Sequence, residues 1–153
     1  MKPFQAVTMA GIVAIMLTLS CSRPHDAAGT DCRIDKNPCM KTIIPGGVTA
    51  VFDIRPKPVK MMSALFFNLS LSKGDRPMAD ADVLLHLTMP GMYMGEHKVV
   101  MSNKGGGTYE GSSVIPRCPS GKRIWKAAFI INEANNGSSG PITAEYTFEV
   151  KEQ

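Results

Sequence analysis

From about Gly47 onward the chain repeats one pattern: apolar residues at alternate positions, interrupted at regular intervals by turn-forming residues. In the last run, Ile142, Ala144, Tyr146, Phe148 and Val150 point one way, and Thr143, Glu145, Thr147 and Glu149 point the other. A period of two belongs to extended backbone, and an apolar face backed by a polar one belongs to an antiparallel sheet with one buried side. Leu65, Phe67, Leu69 and Leu71 repeat the pattern, as do Val83, Leu85 and Leu87, and then Trp125, Ala127, Phe129 and Ile131. Weaker runs cover residues 51–54, 98–101 and 109–115. The breaks fall at Arg55-Pro56-Lys57-Pro58, Lys73-Gly74-Asp75, Pro90-Gly91, Gly105-Gly106-Gly107, Pro119-Ser120-Gly121 and Asn135-Asn136-Gly137. No stretch has apolar spacing of three and four residues, so almost no helix is expected. About seven short antiparallel strands predict an all-β, immunoglobulin-like β-sandwich over residues 47–153, with the Trp125 ring filling the gap between its sheets. A small open barrel is the alternative.

The start of the chain does not share this pattern. Lys2 precedes a stretch, Ala6 to Leu19, that is apolar apart from Thr8 and Thr18, and Ser20 then precedes Cys21. That is the layout of a secretory signal peptide, and the apolar run is shorter than the ~20 residues a membrane span needs. A cysteine at the cleavage point predicts a lipoprotein-type signal over residues 1–20, with Cys21 as the lipidated first residue of the mature chain. Plain export is the alternative. The expected location is the bacterial cell envelope, with the protein anchored to the membrane through its lipid and facing the periplasm or the cell exterior. Residues 21–46 read as a tether and N-terminal cysteine-containing segment, in which His25 is a solvated bystander.

Charge excludes one class of partner. The formal net charge is +4, and no run of Lys and Arg is long enough to suggest nucleic acid. Arg117, Lys122, Arg123 and Lys126 form a local basic patch, read as a solvated loop and strand edge. Export implies an oxidising compartment in which disulfides persist. Three cysteines follow Cys21, namely Cys32, Cys39 and Cys118, so one pair and one free thiol are expected. Cys39 with Cys118 and Cys32 with Cys39 both remain open. No C-x-x-C occurs, which leaves a zinc ribbon or thioredoxin-type motif without support.

The segment with the most distinctive chemistry is Met89-Pro90-Gly91-Met92-Tyr93-Met94, flanked by His86 and His97. Thioether sulfur and imidazole favour Cu(I) over Mg, Ca or Mn. Pro90 and Gly91 interrupt any regular element, which places the segment at a sheet end, where rigid strands position exposed loops. Met92 and Met94 share a direction in extended backbone, and His97 follows closely. These three are the preferred ligands. Met89 falls on the apolar face of Leu85 and Leu87 and is a reserve; His86 is either an exposed face residue or an imidazole arm of the site. Met61, Met62 and Met101 are assigned to packing. The competing reading is an apolar loop that caps the sandwich or docks on a membrane protein complex. No G-x-S-x-G or H-E-x-x-H occurs, and the Gly105–Gly107 run lacks the Lys-Ser/Thr and helix that bind phosphate, so no enzyme is expected.

Met89-Pro90-Gly91-Met92, then Gly107-Thr108-Tyr109-Glu110-Gly111, then Trp125 at the start of an alternating strand, together resemble the YtkA-like domain, which is related to the FixH group. The resemblance spans about residues 47–150. It implies an immunoglobulin-like sandwich outside the cytoplasmic membrane, associated with copper handling and cytochrome oxidase assembly, with a copper-handling or oxidase-related membrane protein as partner. By position, Met89 and Met92 occupy the family's M-P-x-M places, and Tyr109, Gly111 and Trp125 occupy structural places. Tyr93, Glu96 and Lys98 stand where the family often has Gly, Met or His, and the three downstream cysteines have no counterpart in it.

Overall fold

In the computed structural model, residues 29–44, 46–134 and 140–153 are described. The expected signal peptide, Cys21, His25 and the Asn135-Asn136-Gly137 break lie outside them. The described residues contain no helix and nine strands, rather than about seven: β1 (Cys39–Ile43), β2 (Val48–Arg55), β3 (Ala64–Lys73), β4 (Arg76–Pro77), β5 (Ala81–Met89), β6 (Met92–Gly105), β7 (Thr108–Val114), β8 (Ile124–Glu133) and β9 (Ile142–Glu149).

All the ladders between these strands are antiparallel. The order is β1-β2-β3-β7-β6-β5-β8-β9, with the short β4 beside β3. β6 belongs to both layers. Residues 92–101 pair with β5, and residues 102–105 pair with β7. One layer therefore holds β1, β2, β3, β7 and the end of β6, and the other holds the start of β6 with β5, β8 and β9. Leaving β1 and the start of β6 aside, this is the strand arrangement of an immunoglobulin-type sandwich.

The alternating runs supply the core. Val48, Ala50, Phe52 and Ile54 of β2 are buried, as are Leu65, Phe67, Leu69 and Leu71 of β3, while Phe66 between them is exposed. From the other layer come Val83, Leu85 and Leu87, then Trp125, Ala127, Phe129 and Ile131, then Ala144, Tyr146 and Phe148. Phe52 is the hub of an aromatic centre, 5.0 Å from Phe129, 5.1 Å from Tyr146 and 5.9 Å from Phe148 between ring centroids. The Tyr146 hydroxyl donates to the Ala50 carbonyl at 2.7 Å and so ties the two layers together. Burial raises the Tyr146 hydroxyl far above its ordinary pKa, which keeps it a neutral donor. Tyr109 of β7 is a second tie, donating to the Met78 carbonyl at 2.8 Å and accepting from the Ala81 N–H at 3.1 Å.

The fold begins earlier than the expected boundary at residue 47. Cys32 and Ile34 are buried in the common core. Cys32 and Cys39 form a disulfide, and Cys118 is a buried thiol without a disulfide partner among the described residues. The Asp31 and Cys32 N–H groups donate to the Thr147 carbonyl of β9, and the Thr147 N–H donates to the Asp31 carboxylate at 2.7 Å. Residues 31–43 are thus a packed part of the domain rather than tether. β1 lacks an apolar alternation because it is an edge strand held by its ladder to β2, and Ile34 alone is too little to carry a period.

Candidate functional site

The Met-rich segment is a hairpin rather than a loop. Pro90 and Gly91 make a tight turn between β5 and β6, Met89 pairs with Met92 across it, and Gly91 takes φ +72°. Met92, Tyr93 and Met94 are already strand. Turn residues thus punctuate the segment without excluding its methionines from packing. Met89 is 3% exposed and lies in the core, and Met92 and Met94 are half-buried against it.

Beyond the turn the ladder is irregular. Residues 93–96 of β6 stand opposite Thr88 alone before Leu87 meets His97. Gly95, at φ +85°, occupies this bulge in a backbone region that side chains with a Cβ rarely adopt. An odd excess of residues reverses the alternation. Met92 and Met94 face inward before the bulge, and His97, Val99 and Met101 face inward after it, while Tyr93, Glu96 and Lys98 face solvent. Strict alternation would have turned His97 outward. The bulge therefore puts all three preferred ligands on one side of β6. The His97 Nε2 lies 2.9 Å from the Met94 carbonyl, and its ring stands edge-on to Trp125 with centroids 6.0 Å apart. The buried Trp125 Nε1–H has no acceptor among the described residues.

His86 does not join them. It alternates with the buried Leu85 and Leu87, opposite Lys98 and Ala128, on the outer surface of the sheet. On the same surface the Glu96 carboxyl is held below its ordinary value chiefly by Lys98 at 2.8 Å. The imidazole arm is therefore corrected to an outer-face residue. Met89 shares the inner face, but its burial makes it floor.

A partner for Met92 comes from the segment between β7 and β8. The Cys118 Sγ lies 3.2 Å from the Met92 Sδ. The Ser120 Oγ lies 3.0 Å from the same thiol and 3.9 Å from the Met92 sulfur. A tight turn, Gly121 N–H to the Cys118 carbonyl at 3.0 Å, with Gly121 at φ +73°, fixes the thiol below the hairpin tip. The Ser120 hydroxyl holds the Cys118 thiol below its ordinary pKa against the opposing effect of burial, helped by the backbone N–H groups of Ser120 and Lys122 and by the Lys122 ammonium. The Lys122 Nζ leans over the turn, 3.7 Å from where a Cβ on Gly91 would stand. The sequence left Cys118 either paired with Cys39 or free and marked Pro119-Ser120-Gly121 as a turn, with no means to bring either beside Met92.

Among the described residues, no three His, Cys, Asp or Glu side chains converge to hold a metal ion. Two soft ligand atoms do meet among them, the sulfurs of Cys118 and Met92. The residues that the resemblance made structural are buried or crowded. Tyr109 and Trp125 are fully enclosed, and a Cβ on Gly111 would stand 2.7 Å from both Met101 Sδ and Val99 Cγ1. Compared with protein-family models, curated proteins and solved structures, the chain matches none of them.

Proposed function

We propose that this protein is a non-enzymatic, lipid-anchored envelope domain that binds Cu(I) through the inward face of β6, with Met92, Met94 and His97 as ligands. The observation that supports this most is the Gly95 bulge, which puts two thioethers and an imidazole on one side of a single strand. These ligand types select soft monovalent copper, and the ladder to β5 holds Met92 and His97 at the two ends of the bulge that carries Met94. YtkA-like membership, with a role in copper handling or oxidase assembly beside a membrane protein, belongs to the same reading. Its support is the M-P-G-M turn, the buried Trp125 and the immunoglobulin-type strand order. Anchoring through Cys21 is part of the proposal, and a mass spectrum of the mature protein lacking diacylglycerol on Cys21 would remove it.

The central experiment is a titration of the purified domain with Cu(I) against a competing chelator. Wild type is expected to outcompete the Met92→Leu, Met94→Leu double variant by about 10-fold or more. Leucine is close in volume to methionine, so the fold is retained. Equal affinity in the two proteins would sink the assignment. One observation favours a second reading as an interaction module: Tyr93, at the hairpin tip, is 85% exposed. Photocrosslinking from position 93 in intact cells yields a specific adduct if the tip docks on a partner.

A further inference from the structure

We infer that Cys118 is the anionic ligand of this copper site, closing with Met92 a two-sulfur clamp between the β5–β6 hairpin and the segment that leads into β8. This rests on the reading of β6 as a soft-metal face. Charge balance is the first argument. Met92, Met94 and His97 are neutral ligands, and the site is half-buried with the Lys122 ammonium over its turn. A monovalent cation placed there with neutral ligands alone is an uncompensated charge in a partly desolvated site, next to another cation. Among the described residues, no carboxylate is among the hydrogen-bond contacts of the sulfur pair. A Cys118 thiolate makes the metal unit neutral.

Geometry is the second argument. Cys118 Sγ and Met92 Sδ already lie 3.2 Å apart, on two segments 26 residues apart in sequence. Metal–sulfur bonds are ~2.3 Å long, so both sulfurs reach one ion with only a small movement. Met92, with three rotatable bonds, supplies that movement. Ser120 contacts both sulfurs from one side, at 3.0 and 3.9 Å, and acts as a positioning residue that orients the ligands without binding the ion. The third argument is availability. Cys32 and Cys39 are tied to each other, so in the folded chain Cys118 has no disulfide partner among the described residues. On loading, the Cys118 S–H bond breaks, its proton goes to solvent, a Cu–S bond forms and the chelator that delivered the ion leaves. No electron is transferred.

The test uses the full mature chain with its disulfide intact. Cu(I) is supplied from a bicinchoninate complex under anaerobic ascorbate. Cys118→Ala is expected to lower affinity by more than about 100-fold and to abolish the thiolate-to-copper absorption in the near ultraviolet. Cys118→Ser, which keeps the volume, behaves the same way, and cooperative thermal unfolding of each variant confirms that it is folded. X-ray absorption on the loaded wild type needs no variant and finds at least two sulfur neighbours. If both Cys118 variants keep wild-type affinity while the Met92→Leu, Met94→Leu double variant loses it, the thiolate is overturned and the thioether reading stands. If wild type itself fails to compete for Cu(I), both fall.

Discussion

Two regions of this sandwich are built from different materials. At the centre, Phe52, Phe129, Tyr146 and Phe148 interlock with their rings tilted or edge-to-face, and a buried hydroxyl bonds across the layers. At the β5–β6 end, Met89 and Met92 pair across a hairpin, the half-buried Met94 follows, and the Cys118 thiol meets the Met92 sulfur beside a tight turn. Aromatic packing has directional contacts and few rotatable bonds, so it specifies one arrangement. Thioether packing accepts several arrangements at similar energy. The contrast teaches that directional and adaptable packing are separated in space: the aromatic centre specifies the frame, and the sulfur end tolerates rearrangement.

The sharpest way to break that contrast is Phe52→Ala. It is expected to destabilise the domain by about 3–5 kcal/mol, measured by urea unfolding, while the fraction that remains folded keeps its Cu(I) affinity. Loss of affinity in that folded fraction would mean that the two regions are not independent. Next comes the pair Cys32→Ala and Cys39→Ala, which opens a loop with a sequence separation of 7. A short loop of this kind gives about 2–3 kcal/mol by chain entropy. Thermal unfolding is expected to drop accordingly, with the β5–β6 end unchanged in Cu(I) titration.

Gly95→Ala lies at the other region. No atom crowds its Cβ position, but φ +85° is strained for alanine. The expected cost is about 1–2 kcal/mol, together with weakened Cu(I) binding, since relief of the strain removes the bulge that keeps His97 inward. Smallest in stability is Met92→Leu, under about 1.5 kcal/mol, yet its effect on Cu(I) affinity is expected to exceed that of Phe52→Ala in the folded fraction. That inversion of ranks between the two readouts is the contrast in its most compact form.

The frame was legible because burial on one side writes itself into alternate residues. The runs at 65–71, 83–87, 125–131 and 142–150 all put their apolar faces in the core. β1 was not legible, because an edge strand with Lys41 and Thr42 has no period to read, and its attachment is a disulfide and a ladder. The site was legible in composition but not in arrangement. Met92, Met94 and His97 could be singled out by ligand type, but their shared side depends on a bulge whose register only the paired strands define. Cys118 joins Met92 through a contact between residues distant in the chain, and such a contact leaves no local signature.

The two seams of the sandwich are unequal. On one side, β6 is laced by backbone hydrogen bonds into both layers, like the spine of a book. On the other, β1 and β9 face each other without a ladder, and the links there include Lys41 to the Glu145 carbonyl and, just before β1, the Asp31 and Cys32 backbone and the Asp31 carboxylate to Thr147. Opening is therefore expected to start at the fore-edge, with faster amide exchange along β1 than in β3 and β8, which are paired on both sides, so the covers part away from the hairpin that carries the sulfur pair.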